Sequence, residues 1–334
     1  LINKRMNNFV SLAIIQGSNA FFPLLIAPKI LSIFGDDIYV QFAKAEVLSL
    51  LVLTLVNYSF EVSGIQKVSV LQLSKNRAAI SDIYSTVLFS RLTLLLISLM
   101  LLTIFCNIYP SLSALYIIML FIPFSFILQG SWLFQGLRKN SFNAFTTLTS
   151  SIIVVVIAYF IPWSSVYFML IVIGSVYVFF AILNICIIHY KLKLKLRIPS
   201  VKSVKSLLQN ERKIFLSMIS VFFIRDINIY YLDFFGASNK IISSYSILDK
   251  YARIFQASVR PLISVHAVNI AEGLQRYRNN IRKPIYLILH YYKQQILFLT
   301  GVIGAFWILL IFFKNDFAGF FDVIIDENWS KALL

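Results

Sequence analysis

The sequence predicts an all-α protein that crosses a membrane many times. Of its 334 residues, 59% are hydrophobic and 13% are charged, and this charged fraction is about half that of a typical soluble domain. The apolar residues fall in runs of about 20, the length that a helix needs to cross the hydrocarbon core of a bilayer. Short cationic segments separate these runs. Together the three observations exclude a soluble globular domain.

The longest polar segment, residues 191–213, sets the expected orientation. It contains eight cations and one acid, Glu211, between two apolar regions. Because Lys and Arg are enriched in cytoplasmic loops, we place this linker and the N-terminus on the cytoplasmic side of the membrane. The linker is expected to form either a short amphipathic helix on the inner leaflet or a solvated loop, since apolar residues recur in it at helical spacing: Val201, Val204, Leu207 and Leu208.

Nine membrane spans are predicted, at residues 9–34, 42–65, 83–107, 112–134, 141–161, 166–189, 214–235, 241–268 and 285–313. Loops on the side of the linker are cationic, whereas the opposite loops are acidic or uncharged at their centres. Six spans precede the linker and three follow it. We therefore divide the chain into an N-terminal lobe (1–190), the basic linker (191–213) and a C-terminal lobe (214–334).

The first span of each lobe carries a weak internal repeat. Phe-Phe, Leu and Phe-Gly occur at one constant offset, in Phe21, Phe22, Leu31, Phe34 and Gly35 and again in Phe222, Phe223, Leu232, Phe235 and Gly236. A chance match of apolar residues is the alternative. Duplication about an axis normal to the membrane is one architecture of transporters. The repeat predicts six spans in the second lobe, so we expect the chain to be truncated.

Four motifs resemble the Wzx-type oligosaccharide flippases of the MOP/MATE-like transporter superfamily. They are residues 22–35, residues 57–60 with Ser63-Gly64, residues 132–137, and Tyr245-Ser246 with Lys250. The third is the most specific, since Trp132, Phe134, Gln135 and Gly136 match the family's W-F-Q-G-L-E signature. Arg138 departs from it, because the family usually has an acid there.

The resemblance implies a two-lobe, MATE-like helical bundle of about twelve membrane helices, of which about nine are present. It implies that the protein lies in a bacterial inner membrane and moves an oligosaccharide linked to a polyprenyl pyrophosphate. The movement is from the cytoplasmic to the outer leaflet, and it serves the synthesis of O-antigen or another surface polysaccharide. Its expected partners are this lipid-linked oligosaccharide, membrane lipids, and a polysaccharide polymerase or other assembly proteins.

Charged residues inside the later spans are the main candidates for function, because charge within a bilayer is costly. Arg225 and Asp226 fall in the seventh span, and as sequence neighbours they point about 100° apart on a helix, so Arg225 is expected to need another partner or an aqueous cavity. In the eighth span a polar stripe covers an arc of about 80°, consisting of Tyr245, Asp249, Arg253, Gln256 and Arg260. Packing against polar groups of other helices is the alternative interpretation of this stripe.

Asp249 and Arg253 are spaced for a helical ion pair, which leaves Lys250 and Arg260 less compensated. Guanidinium groups bind phosphate through paired hydrogen bonds. The resemblance therefore implies that the diphosphate or acidic sugars contact Arg225, Lys250, Arg253 and Arg260. Arg91 either meets the headgroup where it enters or snorkels to the inner interface.

Carboxylates inside the membrane are candidates for coupling transport to protons or sodium: Glu46, Glu61, Asp226 and Asp249. Glu46, Asn57 and Glu61 are expected on one face of the second span, within about 60°. The alternative for Glu61 is simple solvation at the inner interface. Trp132, Phe134 and Tyr109 are expected to be interfacial anchors more than platforms for stacking sugars.

Other functional classes are less consistent with the sequence. Three scattered histidines predict no metal site, and the cations lie in short loops, which argues against nucleic acid. No disulfide between Cys106 and Cys186, no cofactor and no enzyme activity are expected. The alternatives are a multidrug exporter of the same superfamily, which the cationic eighth span disfavours, and a membrane glycosyltransferase or O-antigen polymerase using Asp36 and Asp37. A membrane acyltransferase would use one of His189, His266 and His290.

Overall fold

A computed structural model describes residues 2–74, 76–108, 113–276 and 282–312, and the regular elements in these ranges are helical. They are α1 (Ile2–Asn57), α2 (Phe60–Leu73), α3 (Arg77–Ile108), α4 (Ser113–Met119), α5 (Phe121–Gln129), α6 (Ser131–Gly136), α7 (Asn140–Phe160), α8 (Val166–Cys186), a π-helical turn (Ile187–Lys191), α9 (Val201–Arg225), α10 (Asn228–Phe234), α11 (Asn239–Arg276) and α12 (Arg282–Phe312).

Helix α1 is two helices joined at Gly35. This glycine has φ 77° and ψ 175°, a backbone conformation that residues with a side chain rarely adopt. The apolar stretch Asn7–Leu73 has 67 residues, far more than the ~20 that cross a bilayer once. The break therefore falls where the sequence predicts the turn between the first two spans. We call residues 2–34 the first limb of α1 and residues 36–57 its second limb.

Each of the nine predicted spans coincides with helical structure where the chain is described. Five stretches are long and apolar enough to cross a membrane, or six when the bent pair α9 and α10 counts as one span. The stretch that contains both limbs of α1 is one of the five, and α11 is not among them because its charges lower its mean hydropathy. The prediction of an all-α polytopic membrane protein is confirmed. The division into two lobes stays a prediction.

Three predicted spans are segmented rather than continuous. In the second predicted span, α1 ends before a turn that contains Tyr58, with φ 51°, and α2 then begins. The fourth consists of α4, α5 and α6, with Gly130 at φ 61° between the last two. The seventh bends by 43° between α9 and α10. Apolar length predicts how much chain crosses the membrane, but it contains no signal for these local turns.

The linker packs on the N-terminal helices and is not a solvated loop, and the helix predicted for it is present from Val201 onward, with Ser200 as its N-cap. Its first part has no regular secondary structure, and Leu192 and Leu194 are buried while the lysines between and beside them are exposed. The amide of Arg197 donates to the Ser85 hydroxyl at 2.9 Å. Its second part continues without a break into the seventh span as α9, and Leu207 and Leu208 pack against buried N-terminal residues.

The largest buried cluster joins helices from before and after the linker. Ile30, Leu115 and Met169 contribute from the first part, and Phe222 and Ile242 from the second. Helix α7 runs beside the first limb in the same direction, since Asn140 donates to Asn8 at 2.8 Å and Tyr159 donates to the Leu25 carbonyl at 2.9 Å. This shared core fixes the position of α11, which carries most of the candidate site.

Candidate functional site

Helix α11 contacts both limbs of α1. Along the second limb it runs in the same direction, with Tyr39 hydrogen-bonded to Ser246 at 3.2 Å and Glu46 paired with Lys250. Along the first limb it runs in the opposite direction, so that Pro261 lies near Gly17. We call the end of the bundle that contains Gly35 and Gly236 the glycine end, and the end near the linker the linker end.

An ion cluster forms where α9 ends. Asp226 accepts from Arg225 through Nε at 3.0 Å and Nη2 at 2.9 Å, and from Nη2 of Arg253 at 2.8 Å. Arg253 also donates from Nε to Asp249 at 2.7 Å. Nη1 of Arg225 reaches the amide oxygen of Gln256 at 3.0 Å. We call Arg225, Asp226, Asp249, Arg253 and Gln256 the ion cluster.

Arg225 pairs with its own sequence neighbour at the end of α9. Asp226 caps the end of α9, and the carbonyl of Arg225 accepts from the side-chain amide of Asn228 at 3.0 Å. Asp226 keeps helical dihedrals, with φ −92° and ψ −24°, and its amide donates to the Phe222 carbonyl, so the pair forms through the reach of the long Arg225 side chain. The expectation that Arg225 has a further partner is met by Gln256, and the predicted pair between Asp249 and Arg253 is confirmed.

Lys250 and Arg260 were both expected to be poorly compensated, but their surroundings differ. Lys250 is buried and its ammonium pairs with Glu46, so the expectation that it is poorly compensated is wrong. Arg260 is exposed and makes no ion pair or hydrogen bond with the described part of the chain. It lies two helical turns beyond Arg253 toward the linker end.

Arg91 is fully buried and does not snorkel. Its Nη2 donates to Glu61 at 2.8 Å, and its guanidinium lies 5.9 Å from the ring of Phe60 and 5.8 Å from that of Phe126. Glu61 also accepts from Ser131 at 3.3 Å, so it is not simply solvated. The structure does not place Arg91 with the other candidate arginines.

Glu46 and Glu61 do not share a helix face, contrary to the sequence-based expectation. The turn after Asn57 ends α1, and Glu61 belongs to α2. Glu46 faces α11, whereas Glu61 faces Arg91 on α3. All four candidate coupling carboxylates are ion-paired, and their role in coupling stays a prediction.

A small polar cavity beside Glu61 was missed by sequence reasoning. Its volume is about 50 Å³, room for roughly three waters. Asn140 and Asn143 are each 1% exposed, yet the former has an unpaired oxygen and the latter an unpaired nitrogen among the described residues. The available signal was the recurrence of carboxamides three residues apart inside apolar runs, in Gln16 with Asn19 and in Asn140 with Asn143.

An apolar groove of about 440 Å³ lies between the first limb of α1, α7 and α11. It is open on one side, and α11 contributes Ala257 and Pro261 to its wall. Arg260 precedes Pro261 in sequence, so an exposed cation lies next to an apolar groove on the same helix.

The signature residues of α6 are packing residues. Trp132 is 2% exposed, Phe134 is fully buried, and Gln135 and Gly136 are also buried, so the expectation that the aromatic pair anchors at the interface is wrong, and stacking on sugars is also ruled out in this arrangement. A Cβ atom on Gly64 would lie 2.7 Å from the Trp132 ring. One on Gly136 would lie 2.8 Å from Val68. Tyr109 lies outside the described residues.

Residues considered for the enzyme alternatives have structural partners. Asp36 accepts from the Ser243 hydroxyl, and Asp37 accepts from Asn239 at 2.7 Å. His266 is buried with its ring 4.6 Å from that of Tyr291. Across the described ranges no group of three or more His, Cys, Asp or Glu is placed to hold a metal ion.

Sequence comparison finds two curated proteins that are similar to this chain. The chain is similar to bacterial O-antigen transporters. A protein of Escherichia coli (strain K12) named "Putative O-antigen transporter" is 27% identical over 151 residues, which are 44% of this chain and 36% of that protein. A protein of the same name from Shigella dysenteriae is 30% identical over 137 residues, 40% of this chain and 33% of that protein.

The chain thus matches about a third of the length of these curated relatives. No family model and no solved structure matches it. The two relatives support the resemblance to Wzx-type flippases that the motifs indicate. They are named as transporters, and the apolar helices indicate a multi-pass membrane protein.

Proposed function

We propose that the protein transports O-antigen units, and that it does so as a flippase for an oligosaccharide linked to a polyprenyl pyrophosphate. The transfer runs from the cytoplasmic to the outer leaflet of the inner membrane, with the N-terminus and the linker end in the cytoplasm. The names of the two relatives support the coarser statement, a transporter for O-antigen. The finer statement rests on the chemistry of α11.

The observation that carries the proposal is the exposed Arg260 between the ion cluster and the apolar groove. Three arginines face two aspartates in this region, so the cluster and Arg260 together have an excess of one positive charge. A diphosphate is the ligand that such an arginine binds best, because the guanidinium fork matches two phosphate oxygens. The adjacent groove suits an apolar chain on the same molecule.

The multidrug-exporter alternative fits this region less well. An exporter of organic cations needs acidic or aromatic groups that remain unpaired, whereas Glu46, Asp226 and Asp249 already pair with cations. The enzyme alternatives lack free catalytic groups at Asp36 and Asp37. No covalent step is required for flipping, so the proposed function needs neither a catalytic residue nor a cofactor.

The test is to delete the gene in its host, extract the lipid-linked oligosaccharides, and determine their sugar composition and leaflet. Complete units that accumulate on the cytoplasmic leaflet are the expected result. Units that lack one sugar would contradict the proposal in favour of a glycosyltransferase, and complete single units on the outer leaflet would indicate a polymerase. An unchanged pool with increased drug sensitivity would support the exporter.

A further inference from the structure

Helix α11 is tied to the helices before the linker by an ion pair near each of its ends. At the glycine end Lys250 pairs with Glu46 of the second limb. At the linker end Glu272 pairs with Arg138, which follows α6, at 2.9 Å. The polarity is opposite at the two ends, because α11 supplies the cation at one and the anion at the other.

The pair at the glycine end is buried and has polar support. The side chains of Lys250 and Glu46 are 8% and 21% exposed. Closer to the glycine turn, the α11 residues Ser246, Ser243 and Asn239 each make a side-chain hydrogen bond to the second limb, with Tyr39, Asp36 and Asp37 respectively. These contacts close the space between α11 and the second limb at that end.

The pair at the linker end depends on an unusual backbone position. Arg138 has φ 54°, and its amide donates to the Gln135 carbonyl while that of Lys139 donates to the Phe134 carbonyl. This is the Schellman pattern, whose left-handed residue is usually glycine. Arginine is strained there, and strained residues persist where the surroundings hold them. Here its Nη2 reaches Glu272 and, at 2.8 Å, Asn269.

The two pairs lie on opposite sides of the centre of the predicted eighth span, 241–268. Lys250 and Glu272 are separated by six turns of helix, roughly 33 Å, and the hydrocarbon core of a bilayer is about 30 Å thick. Lys250 lies inside that span, toward the glycine end from its centre, and Glu272 lies beyond its linker end.

We propose that these two ion pairs are the latches of an alternating-access cycle, each released while the other holds. The proposal rests on the proposed transport function. Both latches are formed in the structure. Packed interfaces of this kind switch between discrete states, so loss of one latch should favour the state that is open at that end only.

The experiment measures distances between pairs of spin labels in the purified full chain in lipid nanodiscs, after Cys106 and Cys186 are replaced by serine. One pair of labels, at Ser32 and Lys240, reports on the glycine end. A second pair, at Lys139 and Leu274, reports on the linker end. All four residues are exposed and lie outside the latches.

Two substitutions break one latch each. Glu46→Gln should raise the open population at the glycine end roughly tenfold and leave the linker end closed, and Arg138→Gln should do the reverse. The double exchange of Arg138→Glu with Glu272→Arg should restore the closed distance at the linker end. Arg197→Gln is the matched control, because it removes an exposed pair with Asp82 that does not involve α11.

Two results would overturn the latches: unchanged distances in both single variants, or widening at both ends in either of them. Failure of the charge exchange to restore closure would overturn the role of the linker-end pair. The measurement uses no lipid-linked oligosaccharide, so its outcome is independent of what the protein moves. A gene deletion that leaves the oligosaccharide pool unchanged would instead refute the transport function and leave the distances as they are.

Discussion

The two segments that share the internal repeat, residues 21–35 and 222–236, are alike at their ends and different in their middles. Each begins with two Phe rings packed edge to face, with interplanar angles of 85° and 84°. Each ends at a glycine in the left-handed region, with φ 77° at Gly35 and 76° at Gly236. The turns at the two glycines lie together, because Asp37 hydrogen-bonds with Asn239.

The middle of the second segment is broken where that of the first is continuous. Arg225 and Asp226 occupy the positions of Leu24 and Leu25 in the repeat, and the chain bends there by 43°. Leu24 is 2% exposed and packs, whereas Asp226 is at the centre of the ion cluster. The two segments therefore have the same features at their ends, but apolar packing in the middle of the first and paired charges in the middle of the second.

The largest effect is expected when the second copy loses only the carboxylate. Asp226→Leu leaves two arginines that share Asp249 as their remaining acid, and we expect it to lower the free energy of unfolding by about 3 kcal/mol. The double variant Arg225→Leu with Asp226→Leu restores the residue types of the first copy. It should recover most of that loss, because Arg253 keeps Asp249.

Unfolding in detergent, followed by circular dichroism, measures both variants. If the double variant were as unstable as Asp226→Leu, then the local break, and not unpaired charge, would account for the loss. Equal stability of all three proteins would show that the ion cluster contributes nothing to the fold.

The sequence predicts some of these features and not others. Apolar length and loop charge predict the spans, and four-residue spacing predicts the pair of Asp249 and Arg253. The pairing of Lys250 with Glu46 and of Arg91 with Glu61 joins residues that are far apart in sequence. Only tertiary packing places these partners, and no periodicity along one helix contains that information.

The packed signature is a second example. Trp132 in an apolar run near a cationic loop has the features of an interfacial anchor. Its burial depends on Gly64, which belongs to another helix and leaves room for the indole ring. A glycine opposite a large aromatic residue is recognisable only once the two helices are known to cross.

An intermediate effect is expected at the features that the two copies share. Gly35→Ala and Gly236→Ala force a side chain into a positive-φ conformation, and each should lower the free energy of unfolding by about 1 to 2 kcal/mol. Gly301→Ala is the control, because Gly301 is helical, exposed and has no atom near its added Cβ. The same denaturation experiment applies. An unchanged free energy of unfolding in Gly236→Ala would show that the two glycine turns do not contribute equally to stability.

The smallest effect on stability is expected at Arg260, which lies outside both repeat segments. Arg260→Gln removes an exposed cation that has no ion pair among the described residues, and it should change the free energy of unfolding by less than about 0.5 kcal/mol. It should nevertheless reduce surface O-antigen in a complemented deletion strain. Lys205→Gln, on the exposed face of the linker, is the control, and equal O-antigen levels in both strains would remove Arg260 from the proposed site.

Helix α9 runs unbroken for 25 residues from the linker to Arg225, a rod of roughly 37 Å. Ten residues after its start, and just before the predicted seventh span begins, Lys67 holds Glu211 at 2.6 Å. A protein that pulls or tilts the basic linker would therefore move α9 as a rigid helix, and the ion cluster lies at its far end. Force applied in the aqueous phase would reach the middle of the bilayer without any rearrangement of the intervening chain.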